Sequence, residues 1–485
     1  MSVFKNLEPE LIWHYFNDIL QIPRPSRKED AMVAYLKTFA AQHGLEVKTD
    51  TVNNVLIKKP ATKGMEKRKT VVLQSHLDMV CEKHSHVNHD FEKDAIKAFI
   101  SDDWVKADGT TLGADDGIGI AAQLAVLASD TLNHGPLECL FTIDEETGMT
   151  GAFALEPGFF EASIVLNLDS EDEGELFIGC AGGIDTVGEI PFKPEAVKPG
   201  REAWNMRVLG LSGGHSGDEI HKGLGNSNKI LNRILYTLQK TVKYRLATFN
   251  GGNLRNAIPR EAEAVLVLKP KYAQKLQQVF NTLKSDILTE YKIQEPALQI
   301  QLEPTKLPLK VLDKQTQANL LAALYAMPHG VEAWSQSMPG LVETSTNLAS
   351  VKFSDNNSIR IITSQRSSVN SAKTDIANKV ASVLQLAGAN ITHSEGYPGW
   401  APDTQSEILD IGVAAYKQLF GNKPVVRAIH AGLECGLFLD KYPHLDMISF
   451  GPTIKGAHSP DERLHIPTVK KFWDYLLLVL ERIPE

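Results

Sequence analysis

Cysteine is scarce, with four residues in 485 (Cys81, Cys139, Cys180 and Cys435) and no CxxC spacing among them. That argues against a disulfide framework and against a cysteine zinc site, and it fits a reducing cytoplasm. Positive charge is also in short supply: the formal net charge is -9 and no basic run exceeds three residues. Neither nucleic acid nor an anionic membrane surface is therefore the expected partner. No apolar run approaches the ~20 residues a membrane span needs, and the opening MSVFKNLEPELIWHYF is broken by Glu8 and Glu10. The glycine-rich helix start GADDGIG lacks the GxGxxG order, and its paired acids would repel a phosphate. What remains is a cytoplasmic protein that acts on a small molecule.

The chain is too long for one ordinary core, so two or more domains are expected. Over residues 1–182, strand-like runs such as TVVLQ (Thr70 to Gln74), LECLFTI and SIVLNL alternate with helical segments, including IAAQLAVLAS. That alternation predicts an α/β fold with a mostly parallel central sheet. Ser26 and Glu29 form a capping-box pattern ahead of Met32, Val33, Leu36 and Phe39, and Gly44 follows as a stop. Over residues 183–395 the character becomes α+β. Helix Ile230–Leu238, strand AEAVLVL and a helix through Leu276, Phe280, Leu283 and Ile287 are followed by a similar series: helix Leu320–Leu324, strands TNLASVKF and SIRIITS, and helix Ile376–Ala387. An internal duplication follows from that order. Residues 396–485 return to α/β character, so the 183–395 segment reads as an insertion into the first domain.

Acidic and histidine residues gather where strands end. LECLFTIDEETGMTG runs from a buried strand into Asp144, Glu145 and Glu146; TVVLQ runs into His76 and Asp78; SIVLNL runs into Asp169; MISFG leads to His458; Asp115 and Asp116 open a helix. Ionised carboxylates cannot sit inside a central strand without a large desolvation cost, and open α/β sheets place ligands at their carboxyl edge. Each of these is by itself an ordinary loop acid, helix cap or surface histidine. Together, His76, Asp115, Glu146, Asp169 and His458 would repel strongly unless cations neutralise them. Imidazole and carboxylate donors without thiolate suit zinc, and equally manganese or cobalt, and two ions sharing one bridging Asp would use all five. Asp78 could accept the second ring N–H of His76, and Glu145 could take a proton from a metal-activated water, which points to hydrolysis.

SHLDMV, GADDGIG, DEETG, NLDS and GAHSPDE, in this order, resemble the di-zinc aminoacylase and carboxypeptidase clan of peptidases. GGHSGDEIHKGLGN, GGNLRNAIPRE and HAGLECGLF resemble, more narrowly, its bacterial aminoacyl-histidine dipeptidase family. The resemblance implies a catalytic domain with two zinc ions, interrupted by a lid, that hydrolyses dipeptides ending in histidine. It implies Asp115 as the bridge, His76 and Asp169 on one ion, Glu146 and His458 on the other, and a cis bond from Asp115 to Asp116. It also implies Glu145 as general base, Asp78 as the orienting residue, and His215 as the lid donor to the oxyanion. Asn256 and Arg366 are the candidates for the substrate carboxylate, with Arg255, Arg260 and Arg360 as rivals. Glu434 has two readings, a receptor for the substrate's free amino group or an ordinary helix-start acid. An N-acyl amino acid deacylase or tripeptidase of the same clan is the nearest rival function, and a non-enzymatic scaffold the more distant one. Relatives suggest a homodimer, although a duplicated lid could mimic one within a single chain.

Overall fold

The computed structural model describes residues 3–354 and 356–485. It divides into two compact units: Met1–Gly179 with Pro402–Ala428 and Leu433–Glu485, and Cys180–Ala401 with Ile429–Gly432. The chain thus dips back into the second unit for four residues late in its course.

The first unit opens with α1 (Glu10–Ile19) and α2 (Asp30–Gln42), then β1 (Glu46–Thr49), β2 (Val55–Lys59) and β3 (Val71–His76). Helix α3 (Ala114–Ala128), β4 (Leu137–Thr142), β5 (Ile164–Asn167) and β6 (Glu175–Cys180) follow. The predicted face of α2 is buried through Met32, Val33, Leu36 and Phe39. The capping box is not formed: Glu29 is the N-cap and makes no side-chain cap bond. Tertiary partners take both side chains instead, for Ser26 Oγ donates to Asp78 at 2.7 Å and Glu29 accepts the amide of Asp144 at 3.0 Å.

The second unit contains β7 (Gly182–Pro191), β8 (Glu202–Leu209), α4 (Ser227–Leu238), β9 (Tyr244–Gly251), β10 (Ala262–Leu268), α5 (Ala273–Tyr291) and β11 (Gln299–Thr305). These are followed by α6 (Lys314–Ala326), β12 (Val342–Ser354), β13 (Ser358–Ser367), α7 (Asn370–Leu386) and β14 (Asn390–His393). Its main sheet runs β11-β8-β10-β9-β12-β13-β7-β14, with Gly330–Trp334 pairing off the path to β12. The order makes the duplication explicit. β8-α4-β9-β10-α5-β11 and β7-α6-β12-β13-α7-β14 are both strand-helix-strand-strand-helix-strand units, and both read fourth, first, third, second across the sheet. The two copies meet through their second strands, at Gly251 opposite Val351. The first copy lies wholly between the first strand and first helix of the second. One apolar core serves both, with Leu231 and Leu235 of α4, Leu321 and Leu324 of α6, and Val380 and Leu384 of α7 all buried in it. Asn226 caps α4 by accepting the amides of Asn228 and Lys229, and its Nδ2 donates to the Leu348 carbonyl in the other copy.

The chain then supplies α8 (Glu407–Phe420), β15 (Val425–Ile429), α9 (Glu434–Lys441), β16 (Asp446–Ser449) and α10 (Ile466–Arg482). The sheet of the first unit runs β1-β2-β4-β3-β5-β16-β6-β15. Its parallel character resides in the centre, where β4, β3, β5 and β16 pair in parallel, while β1-β2, β2-β4 and β16-β6 are antiparallel. The central strands are buried along their length, which is why the charges of this region appear only at their ends. Among the described residues no helix is long and apolar enough to cross a membrane.

Candidate metal centre

Parallel pairing of β3 with β4 and β5 brings His76 at the end of β3, the turn after β4 and the residues after β5 to one edge of the sheet. The start of α3 and the loop before α10 complete the group. His76 Nε2 lies 3.0 Å from Asp115 Oδ1 and 3.3 Å from Asp169 Oδ1. His458 Nε2 lies 3.2 Å from Asp115 Oδ2 and 3.0 Å from Glu146 Oε2. In the trios His76–Asp115–Asp169 and Asp115–Glu146–His458 the donor atoms fall within 4.8 Å of one another, a span that a single ion can fill. His76, Glu145 and Glu146 form a third such trio. Asp115 therefore presents one oxygen to each histidine. Glu146 Oε1 is buried with no hydrogen-bond partner, so the donor set fits metal ions and leaves one oxygen otherwise unused. The bond from Asp115 to Asp116 is cis.

The charges explain the need for cations. Burial pushes the Asp169 carboxyl up to about 7 against the pull of His76, and Asp115 adds to the rise. Burial likewise holds Glu145 well above the usual carboxylate range, with Asp169, Glu146 and Glu434 reinforcing it and His76 opposing. Asp78 behaves differently: burial alone would raise it, but His76, Ser26 and the Glu145 amide outweigh that and bring it down to about 2. Its Oδ1 is 3.4 Å from His76 Nδ1 and accepts the Glu145 amide at 3.0 Å, while Oδ2 accepts the Glu146 amide at 3.2 Å. A single fully buried carboxylate thus touches the ring of His76 and the backbone of both glutamates.

The second unit holds His215, Asn256 and Arg366. His215 pairs with Ala257 across a two-residue ladder, which sets it beside Asn256, and Asn256 is exposed. The amides of Gly217 and Asp218 both approach His215 Nδ1, at 3.3 and 3.1 Å. Asp218 Oδ2 lies 3.4 Å from the same nitrogen, so Nδ1 is occupied by its own loop and Nε2 is the ring nitrogen left for another partner. Arg366 is buried, donates to Tyr397 Oη at 3.0 Å, and has an Nε with no partner. Arg255 is engaged with Asp185 at 2.9 Å and Arg360 lies 3.9 Å from Glu189. Arg366 thus has donor capacity to spare. His430, in the short return segment, is buried with Nε2 2.7 Å from Ser345 Oγ, and burial followed by the Arg366 charge lowers it to about 3.

Residues 72–482 match Peptidase family M20/M25/M40. The chain belongs to this family. It is 45% identical over 484 residues to the cytosol non-specific dipeptidase of Escherichia coli, covering 100% of both chains. Aminoacylhistidine dipeptidase from Vibrio alginolyticus has the same fold, with a TM-score of 0.93, 45% identity and full coverage of both chains. A Staphylococcus aureus tripeptidase is similar in fold alone, with a TM-score of 0.57, 15% identity and 99% coverage of each chain.

In this M20/M25/M40 peptidase Glu434 is fully buried. Its Oε2 accepts from Gln74 Nε2 at 2.6 Å and Thr142 Oγ1 at 2.8 Å, and Gln74 Oε1 in turn accepts from Asn167 Nδ2 at 2.5 Å. Gln74 and Asn167 each precede a candidate ligand by two residues, His76 and Asp169, so a polar layer lies one step down the strands from the cluster. Sequence reasoning passed over this layer because Gln74, Thr142 and Asn167 sit within apolar runs. Their signal was polarity in strands otherwise buried on both faces.

Proposed function

We propose that the protein is a metal-dependent dipeptidase with two divalent cations, zinc first and manganese or cobalt as substitutes, at the edge formed by His76, Asp115, Glu146, Asp169 and His458. The observation that carries the reading is Asp115, whose two oxygens face different histidines, each within a trio of donors. When bound, such ions supply Lewis acidity toward the scissile carbonyl and acidify a water. Glu145 accepts the proton of the attacking water and returns it to the leaving amine. Asp78 keeps His76 in the tautomer whose Nε2 faces the ion and holds the Glu145–Glu146 backbone in register. From the second unit, the lid of this reading, His215 offers its Nε2–H to the developing oxyanion, and Arg366 with Asn256 takes the substrate carboxylate. Glu434 is not given the free amino group that the sequence suggested for it: it is the first residue of α9 and fully buried, with Oε2 held by Gln74 and Thr142, so it supports the strands beneath the cluster instead of meeting substrate.

The relatives' names support dipeptides as substrates, and they differ in breadth: non-specific in one, aminoacylhistidine in the other. We infer a preference for Xaa-His dipeptides such as β-alanyl-histidine, with cytoplasmic location, no nucleic-acid or membrane partner, and a homodimer in solution. The word cytosol in the name of the E. coli relative supports the location. The test is metal analysis together with hydrolysis of β-alanyl-histidine and of N-acylated amino acids, before and after chelation. Activity on the dipeptide that disappears on chelation and returns with zinc is expected, and a preference for the N-acyl substrate would favour the deacylase alternative. Glu145→Ala should lose turnover while metal content stays close to wild type; an active variant would remove Glu145 from its role.

A further inference from the structure

The loop that carries Asp115 is held by two buried ions of the chain itself. Glu462, only 2% exposed, accepts four consecutive backbone amides: Leu112 at 2.7 Å and Gly113 at 2.9 Å on Oε2, Ala114 at 2.7 Å and Asp115 at 3.3 Å on Oε1. It follows His458 by four residues and leads into strand Arg463–His465, which pairs with Trp104–Lys106. From the other side Arg24, also 2% exposed, donates through Nη1 to the carbonyls of Leu77 at 2.9 Å and Asp78 at 2.6 Å, and through Nη2 to that of Gly113. Gly113 has φ 71°, and a Cβ there would stand 2.7 Å from Arg24 Nη2, so only glycine admits the guanidinium. The segment after His76, the segment before Asp115 and the loop of His458 are therefore tied through one guanidinium and one carboxylate.

Nothing in the chemistry assigned above uses either residue. A surface role is excluded by their burial, and a purely local one by their reach, since Glu462 bonds residues about 350 positions away in sequence. What they touch is the backbone that bears the candidate ligands. Carboxylates crowded without an ion push each other apart, and a loop that gave way would have to be reordered each time an ion entered, at a cost to affinity. We propose that Glu462 and Arg24 are positioning residues that fix segment 112–115 relative to His76 and His458, so that both oxygens of Asp115 are aimed before any ion arrives. The proposal rests on the reading of Asp115, His76 and His458 as metal ligands.

Competition for zinc against a chromophoric chelator, on the full-length protein, tests it. Glu462→Gln keeps the size but places an NH2 against backbone donors, and it should weaken zinc binding by about 10- to 100-fold. It should lower kcat at fixed zinc with KM for the dipeptide nearly unchanged, and Glu462→Asp, which retains the carboxylate, should recover part of the affinity. A folded Glu462→Gln that binds zinc within about twofold of wild type overturns the proposal. Arg24→Lys is read in the same way. Hydrogen exchange on chelated wild-type protein needs no variant: the amides of Leu112 to Asp115 should stay protected, and exchange at open-loop rates would equally overturn the idea. Wild-type protein that binds no zinc would instead sink the ligand assignment, and the first titration reveals that before any variant is made.

Discussion

Glu434 gives a prediction whose sign and size both follow from its surroundings. It is 0% exposed, and its carboxyl is pushed up from 4.5 to about 8, first by burial, against His76 and Thr142 and with Asp169 and Asp78 adding to the rise. Between those two pH values the folded ion-free chain holds a proton that the unfolded chain has released. Folding stability must therefore fall as pH rises through this window, by about 1.4 kcal/mol for each pH unit spanned and about 3 to 5 kcal/mol in all. Glu434→Gln removes the titration while its amide oxygen can still accept from Gln74 and Thr142. In chelator, urea unfolding of the two proteins at pH 5.5, 7 and 8.5 should show the Gln variant gaining on wild type at each step. At pH 8.5 the difference should have grown by roughly 3 kcal/mol relative to pH 5.5. A difference that is constant across the three pH values refutes the reasoning, because it would mean the carboxyl ionises alike in both states.

Gly113→Ala should cost about 1 kcal/mol for the left-handed backbone and more for displacing Arg24, whose bonds to carbonyls contribute about 1.5 to 3 kcal/mol each. A loss of at least 3 kcal/mol in chemical denaturation is expected, and a loss below 1 kcal/mol would contradict the close approach. Leu235→Ala, at a fully buried site in the core of the second unit, should destabilise by about 2 to 5 kcal/mol in the same assay. The core it belongs to draws on both copies, so no stable fragment of one copy should survive that substitution in limited proteolysis.

Much of this was legible because charge cannot hide. His76, Asp169 and Glu146 announced the sheet edge simply by following strands too apolar to admit them. The helix faces of α2, α4 and α7 were equally readable from their spacing. Ser26 and Glu29 misled, since a local capping pattern gives way when Asp78 and the Asp144 amide offer buried partners from elsewhere in the chain. The duplication could be seen in the order of helices and strands, but its nesting could not: β7 completes a copy whose next strand begins at Val342, and no local pattern links residues so far apart. Arg24 carried no signal at all, for an arginine between two prolines reads as surface until its carbonyl partners are known.

The place of β16 between β5 and β6 also bears on how the molecule can be made. A ribosome releases β5 and β6 more than 260 residues before the strand that belongs between them. Until Asp446–Ser449 emerges, β5 has a bare side along which another nascent chain can add, and the second unit has meanwhile left the exit tunnel complete but for four residues. Translation that stalls before Asp446–Ser449 has emerged therefore yields a chain with an open sheet.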